Sequence, residues 1–202
     1  MTQLEREQLI RVSAQAAKAA SRVVAKAPAA QRQKALLAIA DAIDAQAPQI
    51  LAANAKDVAT ASGLSAAMVD RLTLDAKRVA GLSRAVREVA AQEEILGRID
   101  KTDARPNGLE ISRVRIPLGV IAMIYEARPN VTTDAAALCL KAGNACILRG
   151  GREALESNRA LLRAVQTGLA TAGLPAEAVQ LIPVMEREAI ADLVKLDELI
   201  DL

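Results

Sequence analysis

The stretch that most constrains the fold is residues 116–151, which read IPLGVIAMIYEARPNVTTDAAALCLKAGNACILRGG. An apolar run at 119–125 is short enough to form a strand buried on both faces of a sheet. Pro129 ends that strand, because its fixed φ angle and missing N–H exclude it from a central strand. Gly143 then ends a helix in a left-handed turn, and a second apolar strand follows at 145–148. Two buried strands joined by a short helix predict a parallel pair with a right-handed crossover.

The helix between these strands carries signals for both of its ends. The side-chain oxygens of Thr132, Thr133 and Asp134 are expected to cap its N-terminus. Lys141 is expected to interact with its last carbonyl groups. Since α/β proteins bind ligands beyond the carboxyl ends of parallel strands, we expect the function in the loops that follow these two strands.

The rest of the chain predicts an α/β fold whose first part is helical. Before residue 93, apolar side chains recur at helical spacing, with Pro48 in a first turn and Ser65 and Thr73 as caps. After residue 152, helices alternate with short apolar runs, which predicts an incomplete, Rossmann-like parallel sheet. The predicted helices are 2–26, 30–47, 48 to about 61, 65–71, 74–92, 153–172 and 186–195, and the later strands are 179–182 and one that begins at 199.

A β-hairpin is predicted between the helical part and the parallel sheet. Residues 98–101 and 109–116 are short extended segments, and the second alternates apolar and polar side chains. Asn107-Gly108 between them is a strong hairpin-turn signal. A two-stranded ribbon is only marginally stable alone, so it is expected to pair with another edge or another subunit.

Composition excludes several classes of function. The net charge is only +2 and Tyr125 is the single aromatic residue, so neither a basic field nor a stacking platform predicts nucleic-acid binding. No apolar run reaches the roughly 18 residues of a membrane span, and the first residues lack a signal-peptide core. The absence of histidine excludes Ser-His-Asp and Cys-His catalysis and histidine zinc sites, so no metal is expected. Two cysteines indicate a reducing compartment, and the cytoplasm is the expected location.

Two polar segments follow the predicted strands. In Arg149-Gly150-Gly151-Arg152, the glycines let the backbone approach a phosphate and the arginines suit a dianion; the alternative is a tight turn with solvated arginines. The chain has no GxGxxG fingerprint. In the earlier loop, Arg128 suits a carboxylate or phosphate, and the Asn130 amide suits a developing oxyanion. The alternative there is a polar loop in which Asn130 caps the helix.

The two cysteines are interpreted as buried structural thiols. Cys139 lies in the apolar stripe of the crossover helix, and Cys146 lies within the second strand. Neither has a histidine or an obvious base available, so nucleophilic catalysis is the weaker interpretation.

The whole chain resembles the γ-glutamyl phosphate reductase family, also called glutamate-5-semialdehyde dehydrogenase, of the aldehyde dehydrogenase superfamily. The resemblance rests on YEARPNV and LKAGNACILRGG, supported by AANAKDVATA, GLSAAMVDRL and AGLPAEAVQLI. It implies an aldehyde dehydrogenase fold and reduction of γ-glutamyl phosphate by NADPH to glutamate 5-semialdehyde, the second step of proline synthesis.

The resemblance also implies roles for particular residues. Arg149 stands where related enzymes have a lysine that contacts the adenosine ribose, and Arg152 stands where NAD-preferring relatives often have a glutamate. Gly150 and Gly151 would line the same adenosine site, with Arg152 suited to the phosphate of NADP. The residues expected near the nicotinamide are Ile124, Tyr125 and Glu126. Arg128 is the expected substrate-binding residue, and Asn130 resembles the oxyanion asparagine in kind, although its spacing to Gly143-Asn144 differs from the superfamily pattern.

The resemblance further implies that this chain corresponds to the N-terminal half of the enzyme. The nucleophilic cysteine and a glycine-rich phosphate loop are expected beyond Leu202, so the chain alone is expected to be inactive. The expected parts are a helical region at 1–97, an oligomerisation-like hairpin at 98–117 and an incomplete NADP-binding α/β domain at 118–202. The expected partners are further copies of the enzyme and glutamate 5-kinase. The alternatives are a non-catalytic fragment that binds NADP or contacts the full-length enzyme, and an inert shortened product.

Overall fold

The computed structural model describes all 202 residues, and the α/β fold predicted from the sequence is confirmed. Five helices come first, a hairpin follows, and three strands then alternate with three helices. The helices are α1 (Gln3–Lys26), α2 (Ala29–Ala45), α3 (Ala47–Thr60), α4 (Ala66–Leu72), α5 (Ala76–Ala91), α6 (Asn130–Lys141), α7 (Leu155–Thr171) and α8 (Glu188–Val194). The strands are β1 (Ile99–Ala104), β2 (Glu110–Val114), β3 (Val120–Ile124), β4 (Ala145–Arg149) and β5 (Val179–Leu181).

The N-terminal helices mostly begin where local side chains can cap them. The backbone N–H of Thr2 donates to Glu5 at 2.7 Å while the Thr2 hydroxyl accepts from the Glu5 backbone, which forms a capping box. Ser65 caps α4 as predicted. The predicted cap of α5 by Thr73 is wrong, because the Thr73 hydroxyl donates to a carbonyl of α4. Asp75 caps α5 instead, with its carboxylate 2.6 Å from the backbone nitrogen of Arg78.

The sheet is parallel and its strand order reverses beside β3. β3 pairs with β4 and β4 pairs with β5. On the other side of β3, the backbone N–H of Asp201 donates to the carbonyl of Val120 at 2.9 Å, and that of Ala122 donates to the carbonyl of Leu202 at 2.7 Å. The fourth strand predicted from residue 199 is thus present as a two-residue pairing. Its position beside β3 creates the kind of crevice in which open α/β sheets bind ligands.

β3 is less buried than predicted. Val120 is fully buried, but Ile124 at the other end of the strand is 47% exposed. The reason is that α1 and α6 pack mainly against β4, the central strand. The prediction of burial on both faces therefore holds for β4 and not for β3.

Helix α6 begins earlier than its predicted caps. Pro129 already has helical dihedral angles, so Asn130 is the first helical residue and the predicted cap at Thr132, Thr133 and Asp134 is wrong. The Thr133 hydroxyl donates to the carbonyl of Asn130 at 2.9 Å, and the Asp134 carboxylate accepts from the Asn130 amide at 2.9 Å. These side chains tie the first turn of the helix together from within it.

Two helix ends are closed by side chains from other helices. The prediction that Lys141 interacts with the last carbonyl groups of its own helix, α6, is wrong. Lys141 instead donates to the carbonyl groups of Ala90 and Gln92 at the end of α5, at 3.3 and 2.7 Å. Gln31 of α2 donates to the carbonyl of Ala172 at the end of α7, at 3.0 Å. The unsatisfied carbonyl groups of a helix end are thus bonded across the core.

The N-terminal helices and the sheet share one hydrophobic core of 42 buried residues. α2 crosses α7 so closely that a Cβ atom on Gly168 would overlap the backbone of Ile39. The hairpin of β1 and β2 is as predicted, with Gly108 at a φ of +82° in its turn, and its strands are almost wholly exposed. No helix taken singly is long and apolar enough to span a membrane; α2 and α3 pass that test only as a pair bent by 67°. The division into three parts stays a prediction.

Candidate functional site

The two loops predicted to carry function lie side by side at the carboxyl edge of the sheet. β3 ends at Ile124 opposite Arg149, the last residue of β4. The backbone N–H of Tyr125 donates to the carbonyl of Arg149 at 3.0 Å, which carries the pairing one residue further. The segment 125–130 and the turn 149–152 are therefore fixed relative to each other by backbone hydrogen bonds.

A buried chain of polar side chains supports both loops. The Tyr125 hydroxyl lies 2.7 Å from the Thr132 hydroxyl, which lies 2.9 Å from Oδ1 of Asn158. Thr132 has a single hydroxyl proton and donates it to Asn158, so Tyr125 donates to Thr132. Burial raises the pKa of Tyr125 to about 12, which keeps this donor protonated at neutral pH. The side chain of Tyr125 thus connects β3 with α6 and α7.

Packing requires a glycine at position 150 of the turn, whereas at position 151 only the end of one flexible side chain would have to move. A Cβ atom on Gly150 would overlap Nδ2 of Asn158 and would lie 3.1 Å from Cε2 of Tyr125. A Cβ atom on Gly151 would overlap the carboxylate of Glu153. The turn therefore stays close to its neighbours, and the Glu153 carboxylate lies over it, a feature that sequence reasoning missed.

The two arginines of the turn are in different environments. Arg149 is half-buried and its Nη2 donates to the carbonyl of Met185 at 3.2 Å, while its buried Nε has no hydrogen-bond partner. Arg152 is exposed and makes neither an ion pair nor a side-chain hydrogen bond. An anion bound at this turn would have the free guanidinium group of Arg152 available to it, whereas the Nε of Arg149 is buried.

The N-terminus of α7 is already bonded within the protein. The Asp57 carboxylate accepts from the backbone nitrogens of Glu156 and Ser157 at 3.1 and 2.7 Å, and from the Ser157 hydroxyl at 2.6 Å. A carboxylate thus occupies the amides that an anion at a helix N-terminus would use. Sequence reasoning missed Asp57 because it lies on α3, about one hundred positions away along the chain.

The residues expected at the nicotinamide end have separate surroundings. Ile124 lines a mainly apolar groove of about 260 Å³, together with Ala122 of β3, Leu193 of α8 and Leu202. Tyr125 points away from that groove toward Gly150. Glu126 is exposed and makes no side-chain hydrogen bond. The structure therefore brings Ile124 to the crevice beside β3, whereas Tyr125 and Glu126 do not line it.

Arg128 and Asn130 line a second groove, of about 410 Å³, formed with the segment that joins α4 to α5. One N–H of the Asn130 amide donates to Asp134, whose pKa is raised by burial. The other groove residues include Arg71 and Arg78. Sequence reasoning missed these two arginines, because nothing in the helical pattern of α4 and α5 indicates that their ends face the loop after β3.

Both cysteines are buried, as predicted. Cys146 is inaccessible and Cys139 is 5% exposed. A hydrogen bond with Cys139 and burial together raise the pKa of Cys146 well above its usual range. Neither thiol lines either groove.

A helical region, a hairpin and a parallel sheet whose strand order reverses beside β3 together form an α/β fold of the aldehyde dehydrogenase type. The chain belongs to the aldehyde dehydrogenase family, whose model matches residues 1–200. Members of this family are oxidoreductases that use NAD or NADP.

The relatives bear out the narrower resemblance seen in the sequence. The chain is 54% identical over 191 residues to the γ-glutamyl phosphate reductase of Anaeromyxobacter sp., covering 94% of this chain and 45% of that one. The solved γ-glutamyl phosphate reductase of Thermotoga maritima superposes with a TM-score of 0.92 at 35% identity, covering 95% of this chain and 47% of that one. The enzyme of Saccharomyces cerevisiae gives a TM-score of 0.86 at 30% identity, with 95% and 49% coverage. The chain thus spans about half the length of the relatives it matches.

Proposed function

We propose that this chain forms the cofactor-binding part of a γ-glutamyl phosphate reductase of proline biosynthesis. The reaction consumes γ-glutamyl phosphate, NADPH and a proton and yields glutamate 5-semialdehyde, NADP⁺ and phosphate. The acyl carbon gains a hydride while its bond to the phosphate oxygen breaks. NADPH, when bound, supplies that hydride. The residues of this chain bind the cofactor and orient it toward the acyl carbon.

The observation that carries the cofactor assignment is the cationic turn after β4. Arg149 and Arg152 carry the guanidinium groups on either side of this turn, and the free group of Arg152 suits the additional phosphate of NADP. Because Asp57 occupies the amides of α7, these guanidinium groups are the available donors there. Gly150 and Gly151 carry no side chains, so an adenosine ribose can approach the backbone of the turn. The Glu153 carboxylate lies beside Gly151.

The other predicted residues take roles at the reacting end. Ile124, Tyr125 and Glu126 lie near the nicotinamide, with Tyr125 held by Thr132. Arg128 binds the substrate. Asn130 has one amide N–H that is not bonded to Asp134, and we assign it as a donor to the developing oxyanion.

The 202 residues alone are proposed to be inactive. Both thiols are buried and the chain has no histidine, so it presents no accessible, activated thiolate to attack an acyl phosphate. A second candidate function follows from the same observation: a non-catalytic fragment that binds NADP or contacts another subunit. An activity assay tests both statements. If this chain alone reduced NADP⁺ in the presence of glutamate 5-semialdehyde, neither its inactivity nor its role as a non-catalytic fragment would hold.

The hairpin is proposed to mediate homo-oligomerisation. Apolar side chains of its strands, Ile99, Ile111 and Val114, are about half exposed. Such a ribbon gains stability by pairing with another subunit. We also propose a contact with glutamate 5-kinase, which supplies the acyl phosphate, and a cytoplasmic location in which the two free cysteines stay reduced.

NADPH fluorescence titration tests the cofactor assignment. Arg152→Gln is expected to weaken NADPH binding about tenfold and to leave NADH binding unchanged, since only NADPH carries the additional phosphate. Arg149→Ala is expected to weaken NADPH binding as well. Arg163→Gln, which removes an exposed arginine from α7, serves as the control and is expected to change nothing. Absence of NADPH binding at millimolar concentration, or equal losses for both cofactors in Arg152→Gln, would sink the assignment.

A further inference from the structure

The groove between the loop after β3 and the α4–α5 connection has a distinctive set of charges. We name it the basic groove and define it by Asp70, Arg71, Arg78, Arg128 and Asn130, with an apolar wall described below. Three guanidinium groups stand against one carboxylate, so the groove attracts anions. Asn130 lines one side of the groove, near the carboxyl end of β3, where the reacting carbonyl group of the substrate is expected.

The three arginines differ in how far they are already paired. Nη2 of Arg78 lies 2.7 Å from Oδ1 of Asp70, and its Nη1 donates to the carbonyls of Asp70 and Thr73, the latter at 2.7 Å. Arg78 is therefore occupied in joining α4 to α5. Arg71 and Arg128 make neither an ion pair nor a side-chain hydrogen bond. Two unpaired guanidinium groups in one groove suit a carboxylate or a phosphate.

The remaining features narrow the ligand. Oδ2 of Asp70 accepts no hydrogen bond, so it is available to an ammonium group. Leu74 and Leu82 supply the apolar wall, and they suit a short aliphatic chain. A phosphate dianion alone would leave Asp70 unused and would be repelled by it. An α-amino acid with a short side chain uses every feature of the groove.

We propose that the basic groove binds the α-amino and α-carboxylate groups of the substrate. Arg71 and Arg128 hold the α-carboxylate, and Asp70 accepts from the α-ammonium group. The methylene groups lie against Leu74 and Leu82, which directs the activated side-chain carboxyl toward Asn130. This inference rests on the proposed function and deepens it, because it assigns Asp70 and Arg71, together with Arg128, to recognition of the amino-acid end of the substrate.

The test is a titration of the 202-residue chain with L-glutamate γ-methyl ester, followed by NMR of the backbone amides. Saturable shifts are expected at residues 70–74 and 128–130. Arg71→Gln is expected to raise the dissociation constant about tenfold or more, and Arg71→Lys by less, since it keeps the charge but loses the bidentate geometry. Arg84→Gln, an exposed arginine of α5 outside the groove, is the matched control and is expected to have no effect.

Ligand variants assign each end of the substrate. The monomethyl ester of glutarate, which lacks the ammonium group, and the methyl ester of 4-aminobutyrate, which lacks the α-carboxylate, are both expected to bind at least tenfold more weakly than the amino acid. Asp70→Asn is expected to weaken binding of the amino acid and to leave binding of the glutarate ester unchanged. Circular dichroism checks that α4 and α5 remain folded in this variant.

Two outcomes overturn the proposal. The first is the absence of shifts in the groove at saturating amino acid; the second is displacement of the amino acid by inorganic phosphate at lower concentration, which would assign the groove to the phosphate group. NADPH titration of the same samples tests the proposed function separately. Cofactor binding without groove binding would refute this inference alone, and groove binding without cofactor binding would refute the cofactor assignment alone.

Discussion

The carboxylate of Asp57 on α3 caps α7 through Ser157, with Oδ2 2.7 Å from the backbone nitrogen and 2.6 Å from the hydroxyl oxygen of that residue. Both residues are buried. The helix that follows the cationic turn therefore directs its free amides at a side chain of the protein. An anion at this turn is therefore expected to be bound by the arginine side chains and not by backbone amides. Because side chains can be replaced one at a time, a single substitution is expected to change the cofactor preference.

Asp57→Ala is expected to destabilise the fold by about 2–3 kcal/mol, because it removes a helix cap and leaves a buried hydroxyl and two amides without their acceptor. Urea unfolding followed by circular dichroism measures the loss. Asp44→Ala, which removes an exposed carboxylate paired with Arg87, is the control and is expected to stay within about 0.5 kcal/mol of the parent chain. Equal effects of the two substitutions would show that the cap contributes nothing particular.

Tyr125 is expected to ionise with a pKa of about 12, against an ordinary value of 10.0, because burial disfavours the phenolate. Tyr125 is the only tyrosine in the chain, so the ultraviolet absorbance of tyrosinate reports this residue alone. The same titration in denaturing urea supplies the reference and is expected to return to the ordinary value. A folded-state midpoint equal to that in urea would contradict the burial of the hydroxyl.

The same pKa predicts how stability depends on pH. Below pH 10 the phenol is protonated in both states, so its contribution is fully present. Between pH 10 and about 12 the unfolded chain loses the proton first, and the folded state is destabilised as pH rises, by up to about 3 kcal/mol. Urea unfolding across this range checks the slope, and Tyr125→Phe is expected to flatten it.

Two glycines in helices are expected to respond in opposite directions to alanine. Gly168→Ala places a methyl group against the backbone of Ile39 where α2 crosses α7, and a loss of about 1–3 kcal/mol is expected. Gly81→Ala adds a methyl group in open space within α5, and a gain of about 0.5–1 kcal/mol is expected from helix propensity. Thermal unfolding of the two variants measures both, and a stable Gly168→Ala chain would mean that the crossing can widen.

Both thiols are expected to be unreactive in the folded chain because both are buried. Cys146 is inaccessible and the raised pKa disfavours its thiolate, so a thiol-specific colorimetric reagent is expected to label it only after unfolding. Full labelling in denaturing urea gives the reference of two thiols per chain. Rapid labelling of the native chain would reopen the question of a nucleophile within these residues.

The sequence predicted the elements whose signals are local. Ser65 and Gly143 act at the ends of their own helices, within a few residues of the sequence that contains them, and both behave as predicted. The parallel pair of β3 and β4 follows from the spacing of apolar runs and the glycine and proline residues between them. The resemblance to the reductases was equally readable, because it depends on runs of identical residues.

Several of the predictions that failed concern partners distant in sequence. Thr132 bonds to Asn158 of α7, and Lys141 bonds to the end of α5, so neither serves the helix end beside it. Arg71 and Asp57 also escaped notice, because their neighbours are supplied by elements many residues away. Helical periodicity indicates which face is apolar, but it does not say which helix end meets which loop. The roles assigned to the site residues remain predictions.

Helix ends closed by other helices have a consequence for how this molecule opens. Asp57 closes the start of α7, Gln31 closes its end, and Lys141 closes the end of α5. Helix termini normally fray one at a time, but here the first turn to open must also release a donor or acceptor on a second helix. Amide hydrogen exchange at these termini is therefore expected to occur through larger cooperative openings, close in free energy to global unfolding, and not through local fraying.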